Sequence, residues 1–215
     1  MTEKQEAKRG MYVEMDSRRA EIDSLIEAGA MIAISKRWLG SYREQAGITT
    51  WDALALRSGV HVWHFTKPLD EPLAGNFTVE TWLRIALALG RHPFAIAQVI
   101  GPVAEFDMTP YSKIYRGPDA KVWGWEREEI DRAIESEQAR ILLDRPNLRK
   151  VWGGTWRSLS RCSGAAYHTI QKLPYPKNNP TAETTMRLAL AARVHPFSLL
   201  RVSLPSLLGM RSLSV

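Results

Sequence analysis

Apolar side chains recur at helical spacing along most of the chain, and no segment shows a sustained alternation of apolar and polar positions. In one such segment, Trp51 and Leu54 lie three residues apart and share one helical face. Thr50 precedes them at the position of a helix N-cap, and Gly59 follows where a residue of positive φ would end the helix. The hydrophobic pattern therefore predicts an all-α fold.

A second short helix is predicted directly after Gly59, because Val60 and Phe65 can face the same core and Pro68 must end the helix. Proline and glycine then mark a loop, and Thr78 is predicted to cap a further helix. The apolar face of that helix consists of Trp82, Ile85, Ala86 and Leu89. Two short helices joined by a tight turn that contains glycine are typical of a helix-turn-helix.

This pattern is repeated later in the chain. Residues 51–67, WDALALRSGVHVWHFTK, match residues 156–172, WRSLSRCSGAAYHTIQK, with an offset of 105 residues. Residues 76–94, NFTVETWLRIALALGRHPF, match residues 179–197, NPTAETTMRLALAARVHPF, with an offset of 103 residues. The change of offset falls in a predicted loop, where a structural repeat tolerates insertions and deletions. The chain is therefore predicted to contain two related helical units.

Charge is distributed unevenly along the chain, whose formal net charge is +6. Residues 1–103 contain 12 Lys and Arg against 12 Asp and Glu, and residues 104–146 contain 7 against 10. Residues 147–215 contain 10 against 1. A basic tail that only adds solubility is the alternative, but this segment is rich in apolar residues and includes the second repeat. The excess of positive charge favours nucleic-acid binding.

The first unit resembles a known class of DNA-binding domain. The sequence YREQAGITTWDALALRSGVHVWHFTK, followed by NFTVETWLRIALALG, is similar to the Cro/CI-type (XRE-like) helix-turn-helix repressors of phages and bacteria. The resemblance covers about residues 35–100 and implies helices at 39–47, 50–58, 61–67 and 78–89, of which the third is the recognition helix. The second unit matches more loosely, since Ser160 replaces Ala55 and Ala165 replaces Val60.

The layout of the whole chain also resembles the short immunity repressors of mycobacteriophages. That resemblance implies an N-terminal helix-turn-helix, a second C-terminal DNA-binding domain, and binding to an asymmetric operator as a monomer.

The candidate DNA contacts are the outward residues of the two recognition helices, since Val60, Phe65, Ala165 and Ile170 are predicted to point inward, together with Thr50, Ser58, Arg157 and Lys177 nearby. In the first unit the candidates are Thr50, Ser58, His61, Val62, Trp63, Thr66 and Lys67. In the second they are Arg157, Ala166, Tyr167, His168, Gln171, Lys172 and Lys177. Lysine can donate to guanine or to phosphate, and Gln171 can pair with adenine. For Trp63, packing in the core or between domains is the alternative to DNA contact.

The layout predicts four segments: an N-terminal helical extension at 1–34, a helix-turn-helix domain at 35–101, a linker at 102–145, and a basic DNA-binding domain at 146–215. The extension holds an amphipathic helix at 16–30 that can pack on the first unit or lie across DNA. The linker is predicted to hold a connecting helix at 125–144, roughly 30 Å long. This helix would place the two recognition helices about one turn of DNA apart. We expect this helix to pack on the second unit.

Several classes of function are not expected. No apolar run approaches the roughly 18–20 residues of a membrane helix, and the polar N-terminus does not resemble a signal peptide. The single Cys162 excludes an internal disulfide, and no sequence motif for phosphate-loop, zinc-protease or redox chemistry occurs. We therefore expect a cytoplasmic protein of a bacterial host cell that is no enzyme and needs no cofactor, metal or small-molecule ligand.

The two HPF motifs, at His92 and His195, raise the question of a metal site, but one histidine per unit is a poor ligand set. A turn after the fourth helix, with phenylalanine packing back, is the preferred interpretation.

Two functional classes are compared. The first is a sequence-specific regulator of transcription, a repressor that binds double-stranded DNA as a monomer. The second is a helix-turn-helix that serves as a protein–protein module, such as an antitoxin or an adaptor. A dimeric repressor that uses its C-terminal unit for dimerisation is a variant of the first class.

Overall fold

The computed structural model describes residues 3–34, 36–66, 77–103, 124–172 and 179–204. The protein is predominantly helical, with only short antiparallel strand pairs, so the expected all-α fold is confirmed. In the first half the elements are α1 (Glu3–Glu27), β1 (Met31–Ile34), α2 (Lys36–Gln45), α3 (Trp51–Ser58), α4 (Trp63–Thr66), α5 (Val79–Ala88), α6 (Pro93–Ile96) and β2 (Ala97–Ile100). In the second half they are α7 (Arg127–Glu135), β3 (Arg140–Leu143), α8 (Arg145–Trp152), α9 (Trp156–Ser163), α10 (Tyr167–Lys172), α11 (Ala182–Ala192), a 3-10 helix (Pro196–Leu199) and β4 (Leu200–Ser203).

The helix boundaries follow from local capping chemistry. Threonine hydroxyls at four helix N-termini accept hydrogen bonds from the backbone amide three residues later, and these caps are Thr50, Thr78, Thr155 and Thr181. Gly59 and Gly164 end the paired helices α3 and α9 in the left-handed conformation, at φ values of 70° and 74°. All these predicted caps and turns are confirmed.

The repeat extends further towards the N-terminus than the helix-turn-helix resemblance. The end of α1, EIDSLIE at 21–27, matches the end of α7, EIDRAIE at 129–135. A short strand follows each of these helices and pairs with the strand that closes its own half, with Ile34 opposite Ala97 and Leu143 opposite Leu200. Each repeat is therefore a helix and a strand, followed by the helix-turn-helix, a longer helix and a closing strand.

The two repeats exchange their first helices. Helix α1 packs on α9 and α11 of the second unit, whereas α7 packs on α3 and α5 of the first unit. Matching ion pairs fix both contacts: Asp23 of α1 lies 2.5 Å from Arg187 of α11, and Asp131 of α7 lies 2.5 Å from Arg84 of α5. The hydrogen bond from Arg84 lowers the pKa of Asp131, so this carboxylate is ionised at neutral pH. Each helix-turn-helix is thus completed by a helix from the other half of the chain.

An approximate two-fold axis relates the units. Around the bridge between Thr78 and Thr181, the Val79 amide donates to the Pro180 carbonyl, and the equivalent Ala182 amide donates to the Phe77 carbonyl. Such reciprocal bonds characterise an isologous interface, in which one surface patch meets its own equivalent. The chain therefore resembles a symmetric dimer that is joined into one polypeptide.

Aromatic side chains fill the space near this axis. The rings of the equivalent residues Phe94 and Phe197 stack with their centroids 4.7 Å apart. Trp82 is fully buried beside both rings, and its indole N–H donates to the Pro93 carbonyl at 2.6 Å. The two units therefore share one hydrophobic core rather than forming independent domains.

The predicted connecting helix at 125–144 is wrong in length and in partner. Helix α7 has 9 residues, not the 20 predicted, and it packs on the first unit rather than on the second. The chain leaves the helix near Glu137, which has a φ of 57°, and Ile141 and Leu143 then bury alternate side chains in β3. The distance between the units is consequently set by their direct contact and not by a helical spacer.

Candidate nucleic-acid interface

The predicted recognition helices correspond to α4 and α10. A buried serine shapes the turn before each of them. In the first unit the Ser58 hydroxyl donates to the Leu54 carbonyl at 2.7 Å and accepts from the Val60 amide at 3.3 Å. In the second unit the Ser163 hydroxyl accepts from the Ala165 amide at 3.1 Å. Because Ser58 is fully buried, its prediction as a DNA contact is wrong. Its role is to hold the turn.

The first recognition helix presents apolar and aromatic side chains to solvent. Val60 and Phe65 are buried as predicted, while His61 is exposed and Val62 is half-buried. Trp63 is 52% exposed and stacks on His64 with ring centroids 3.8 Å apart. The alternative that Trp63 packs in the core is therefore wrong.

The second recognition helix presents a polar surface. Ala165 and Ile170 are buried as predicted, and the exposed residues are Ala166, His168, Gln171 and Lys172. The half-buried Tyr167 joins two of the candidates, because its hydroxyl accepts from the Gln171 side-chain amide at 2.9 Å and the exposed Arg157 guanidinium lies 5.7 Å from its ring. Tyr167 therefore limits the directions in which Gln171 and Arg157 can point.

The remaining candidates are only partly described. Thr50 is exposed, and its hydroxyl is engaged as the α3 cap at 3.0 Å from the Ala53 amide. Lys67 and Lys177, together with the side chain of Thr66, lie outside the described residues.

Sequence reasoning missed a basic surface on α8, the helix that precedes the second helix-turn-helix. The guanidinium groups of Arg145 and Arg149 lie 5.2 Å and 5.6 Å from the centre of the Trp156 ring, and Lys150 is exposed beside them. Arginine over an aromatic face is held by a cation–π attraction that leaves its N–H groups able to bind other partners. The sequence signal for this surface is the spacing of the two arginines, four residues apart, which places them on one face if the segment is helical but does not identify Trp156 as their partner.

The approximate two-fold axis gives the two recognition helices equivalent positions. Positions related by a two-fold rotation lie at the same height along the axis, so two exposed helices related in this way can approach one surface together. A single duplex is therefore a candidate ligand for both helices. The candidate interface consists of these helices and the basic surface on α8.

The two HPF motifs are structural. The Nδ1 atoms of His92 and His195 accept hydrogen bonds from the amides of Phe94 and Phe197 at 3.2 Å and 3.1 Å, and both phenylalanines pack back into the shared core. Burial lowers the pKa of His92 to about 4, so this imidazole is neutral at physiological pH. In the part of the chain that the structure describes, no group of three or more potential ligands could hold a metal ion. The preferred interpretation of these motifs as a turn is confirmed.

Comparison with known proteins yields no relative. None of the family models, the curated proteins or the solved structures that we compared with this chain matches it. Among the described helices, none combines the length and the apolar character needed to cross a membrane.

Proposed function

We propose that this protein is a sequence-specific regulator of transcription, a phage immunity repressor that binds double-stranded DNA as a monomer. The observation that carries the proposal is the approximate two-fold relation between two exposed recognition helices within one chain. The basic surface of the second unit adds the charge that duplex DNA attracts. The helix-turn-helix resemblance supports the same conclusion.

Monomeric binding follows from the interface between the units. Dimeric helix-turn-helix repressors place two identical recognition helices in successive major grooves, and their operators are palindromic for that reason. Here the contacts around Thr78 and Thr181 supply the isologous interface inside one polypeptide. A partner chain is not required to bring two reading heads together.

The operator is expected to consist of two unlike half-sites in inverted orientation. Inversion follows from the two-fold relation, and the difference follows from the side chains, since Val62 and Trp63 occupy the positions that Tyr167 and His168 hold in the second unit. Half-sites about one helical turn apart would give an operator on the order of 10–15 bp. The operator is therefore asymmetric in sequence although its readers are symmetric in position.

A protein–protein module is the second candidate, and one observation favours it. Leu56 of α3 is 70% exposed and Trp63 is 52% exposed, so the first unit presents large apolar side chains that could bind a partner protein. The charge of the second unit does not favour this alternative.

Selection of bound duplexes from a random pool, followed by sequencing, tests the proposal. We expect enrichment of one non-palindromic sequence. Lys172→Ala or Gln171→Ala should then cost about 1–3 kcal/mol at one half-site and relax its sequence preference, and Lys67→Ala should do so at the other. A pool without an enriched sequence would favour the protein–protein module.

A further inference from the structure

The repeat places unlike charges at matched positions of the two units. With the offset of 105 residues, Asp52 corresponds to Arg157, and Leu56 corresponds to Arg161. Asp52 and Arg157 are both exposed in the first turn of their helices, α3 and α9. The two-fold relation gives Asp52 and Arg157 equivalent positions. A duplex bound in the same way to both units would therefore face the Asp52 carboxylate at one end and the Arg157 guanidinium at the other.

The imbalance extends over the whole of each helix-turn-helix. Residues 36–67 contain five Lys and Arg and two Asp and Glu, whereas residues 145–172 contain six and none. Some cations are already engaged within the protein: Arg57 pairs with Glu126 at 2.9 Å, and Arg161 pairs with Asp16 at 2.5 Å. Positive charge that is available to a ligand must therefore come from cations other than Arg57 and Arg161.

Among the side chains of residues 36–67 and 145–172 that the structure describes, which do not include those of Arg37 and Lys67, exposed cations of that kind lie in the second unit. They are Arg149, Lys150, Arg157 and Lys172. Among the residues that the structure describes, none of these four forms an ion pair with a carboxylate. Arg149 also lies against the ring of Trp156, the residue that directly precedes Arg157 at the start of α9. Arg157 in turn lies 5.7 Å from the centre of the Tyr167 ring, so cations accompany both helices of the second helix-turn-helix.

The first of the two helices in a helix-turn-helix crosses the DNA backbone while the second lies in the groove. Residues at the start of α3 and α9 are therefore expected to face phosphate groups. Arg157 would attract the phosphodiester backbone whatever the base sequence, and Asp52 would repel it. Docking of the first unit would then gain little from phosphates and would depend on contacts to bases.

We infer, on the basis of the proposed function, that the units act unequally: the second unit holds duplex DNA of any sequence through Arg149, Lys150 and Arg157, and Asp52 restricts docking of the first unit to sites with the correct bases. Non-specific binding would then use one unit, and specific binding would use both. The repulsion at Asp52 weakens the non-operator complex in which both units are docked. The same repulsion is present in the operator complex, where the base contacts of the first unit would outweigh it.

Four single substitutions in the full chain test this inference. Asp52→Asn is paired with Glu128→Gln, which removes the same charge from an exposed position on α7. Arg157→Ala is paired with Arg201→Ala, which removes an exposed cation of the second half from β4. Binding is measured at several salt concentrations, both for a duplex selected from the random pool and for an unrelated duplex of equal length. Thermal unfolding shows whether each variant remains folded.

Asp52→Asn should raise the affinity for the selected duplex by about fivefold, the effect of one close charge in water, and should raise the affinity for the unrelated duplex by less, because the first unit is not docked there. Arg157→Ala should weaken both complexes alike and reduce the slope of log K against log salt by about 0.9. Glu128→Gln and Arg201→Ala should change neither quantity. Equal effects of Asp52→Asn and Glu128→Gln, or of Arg157→Ala and Arg201→Ala, would overturn the inference. If the wild-type chain selects no sequence, the proposed function itself fails.

Discussion

The two helix-turn-helix units of this chain have one framework and two different surfaces. Residues that the units share build the framework, namely the threonine caps, the turn glycines, Leu54 with Leu159, Arg84 with Arg187, and Phe94 with Phe197. Residues that differ lie mainly on the outside, where Asp52, Leu56 and Trp63 correspond to Arg157, Arg161 and His168. The duplication has therefore kept what holds the fold and changed what a ligand would meet.

The exchange of first helices makes the two units depend on each other, because neither unit is complete without the other half of the chain. Helix α1 also reaches beyond its repeated part: Asp16 binds Arg161 with both carboxylate oxygens, and the Arg161 guanidinium lies 4.4 Å from the centre of the Tyr12 ring. These hydrogen bonds lower the pKa of Asp16. The N-terminal helix thus holds a side chain that the first unit replaces with the exposed Leu56.

Separation of the halves should have the largest effect. Residues 1–103 alone would expose the apolar faces of α1 and α5, and we expect such a fragment not to fold because its helix-turn-helix lacks α7. A protease site engineered within 104–123 gives the matched experiment, in which the cleaved halves are expected to stay associated and to unfold together. Size exclusion and circular dichroism measure both outcomes. Halves that separate and unfold cooperatively on their own would contradict the exchange.

Substitutions at equivalent positions of the shared core should lower the free energy of unfolding by different amounts. Trp82 and its equivalent, Thr185, are both fully buried, but Trp82 packs against the rings of Phe94 and Phe197, whereas the Thr185 hydroxyl donates to the Thr181 carbonyl. Trp82→Ala should lower the free energy of unfolding by about 3–5 kcal/mol. Thr185→Ala should lower it by about 1 kcal/mol. Denaturant titration provides both values, and equal losses would mean that the aromatic cluster does not hold the units together.

Acidification tests the same core through His92. The pKa of His92 is about 4 in the folded protein and would be near 6.5 when unfolded, so the unfolded chain binds the extra proton between these values. Stability from the neutral imidazole is therefore complete above pH 6.5 and declines as the pH falls, by about 2 kcal/mol between pH 7 and pH 5. In His92→Asn the amide oxygen can cap the turn without titrating. An equal loss of stability in this variant would show that His92 is not responsible.

Sequence alone predicted the local features of the fold well. Caps such as Thr50 and turns such as Gly59 follow from chemistry within a few residues, and so does the inward direction of Phe65 and Ile170. The packing partner of an amphipathic helix could not be predicted, because an apolar face does not specify which surface will cover it. The matching sequences EIDSLIE and EIDRAIE identify α1 and α7 as equivalent elements, but only the assembled structure shows that they are exchanged.

Two predictions were wrong and one surface was missed, each for its own physical reason. The predicted connecting helix ran through β3 because four residues are too few for an alternating pattern to stand out from helical spacing. Ser58 was expected to face DNA, yet its hydroxyl is satisfied by the backbone within the turn. The basic surface on α8 was missed because a helical spacing of arginines does not show that Trp156 lies beneath them.

We propose that one chain supplies both recognition helices. Sedimentation of the protein on a duplex that carries a single selected site tests it most directly. We expect a complex of one protein with one duplex on a non-palindromic site, with protection of two adjacent major grooves in a footprint of the same complex. A complex of two proteins on an inverted repeat would contradict it, and would show that the second unit serves dimerisation.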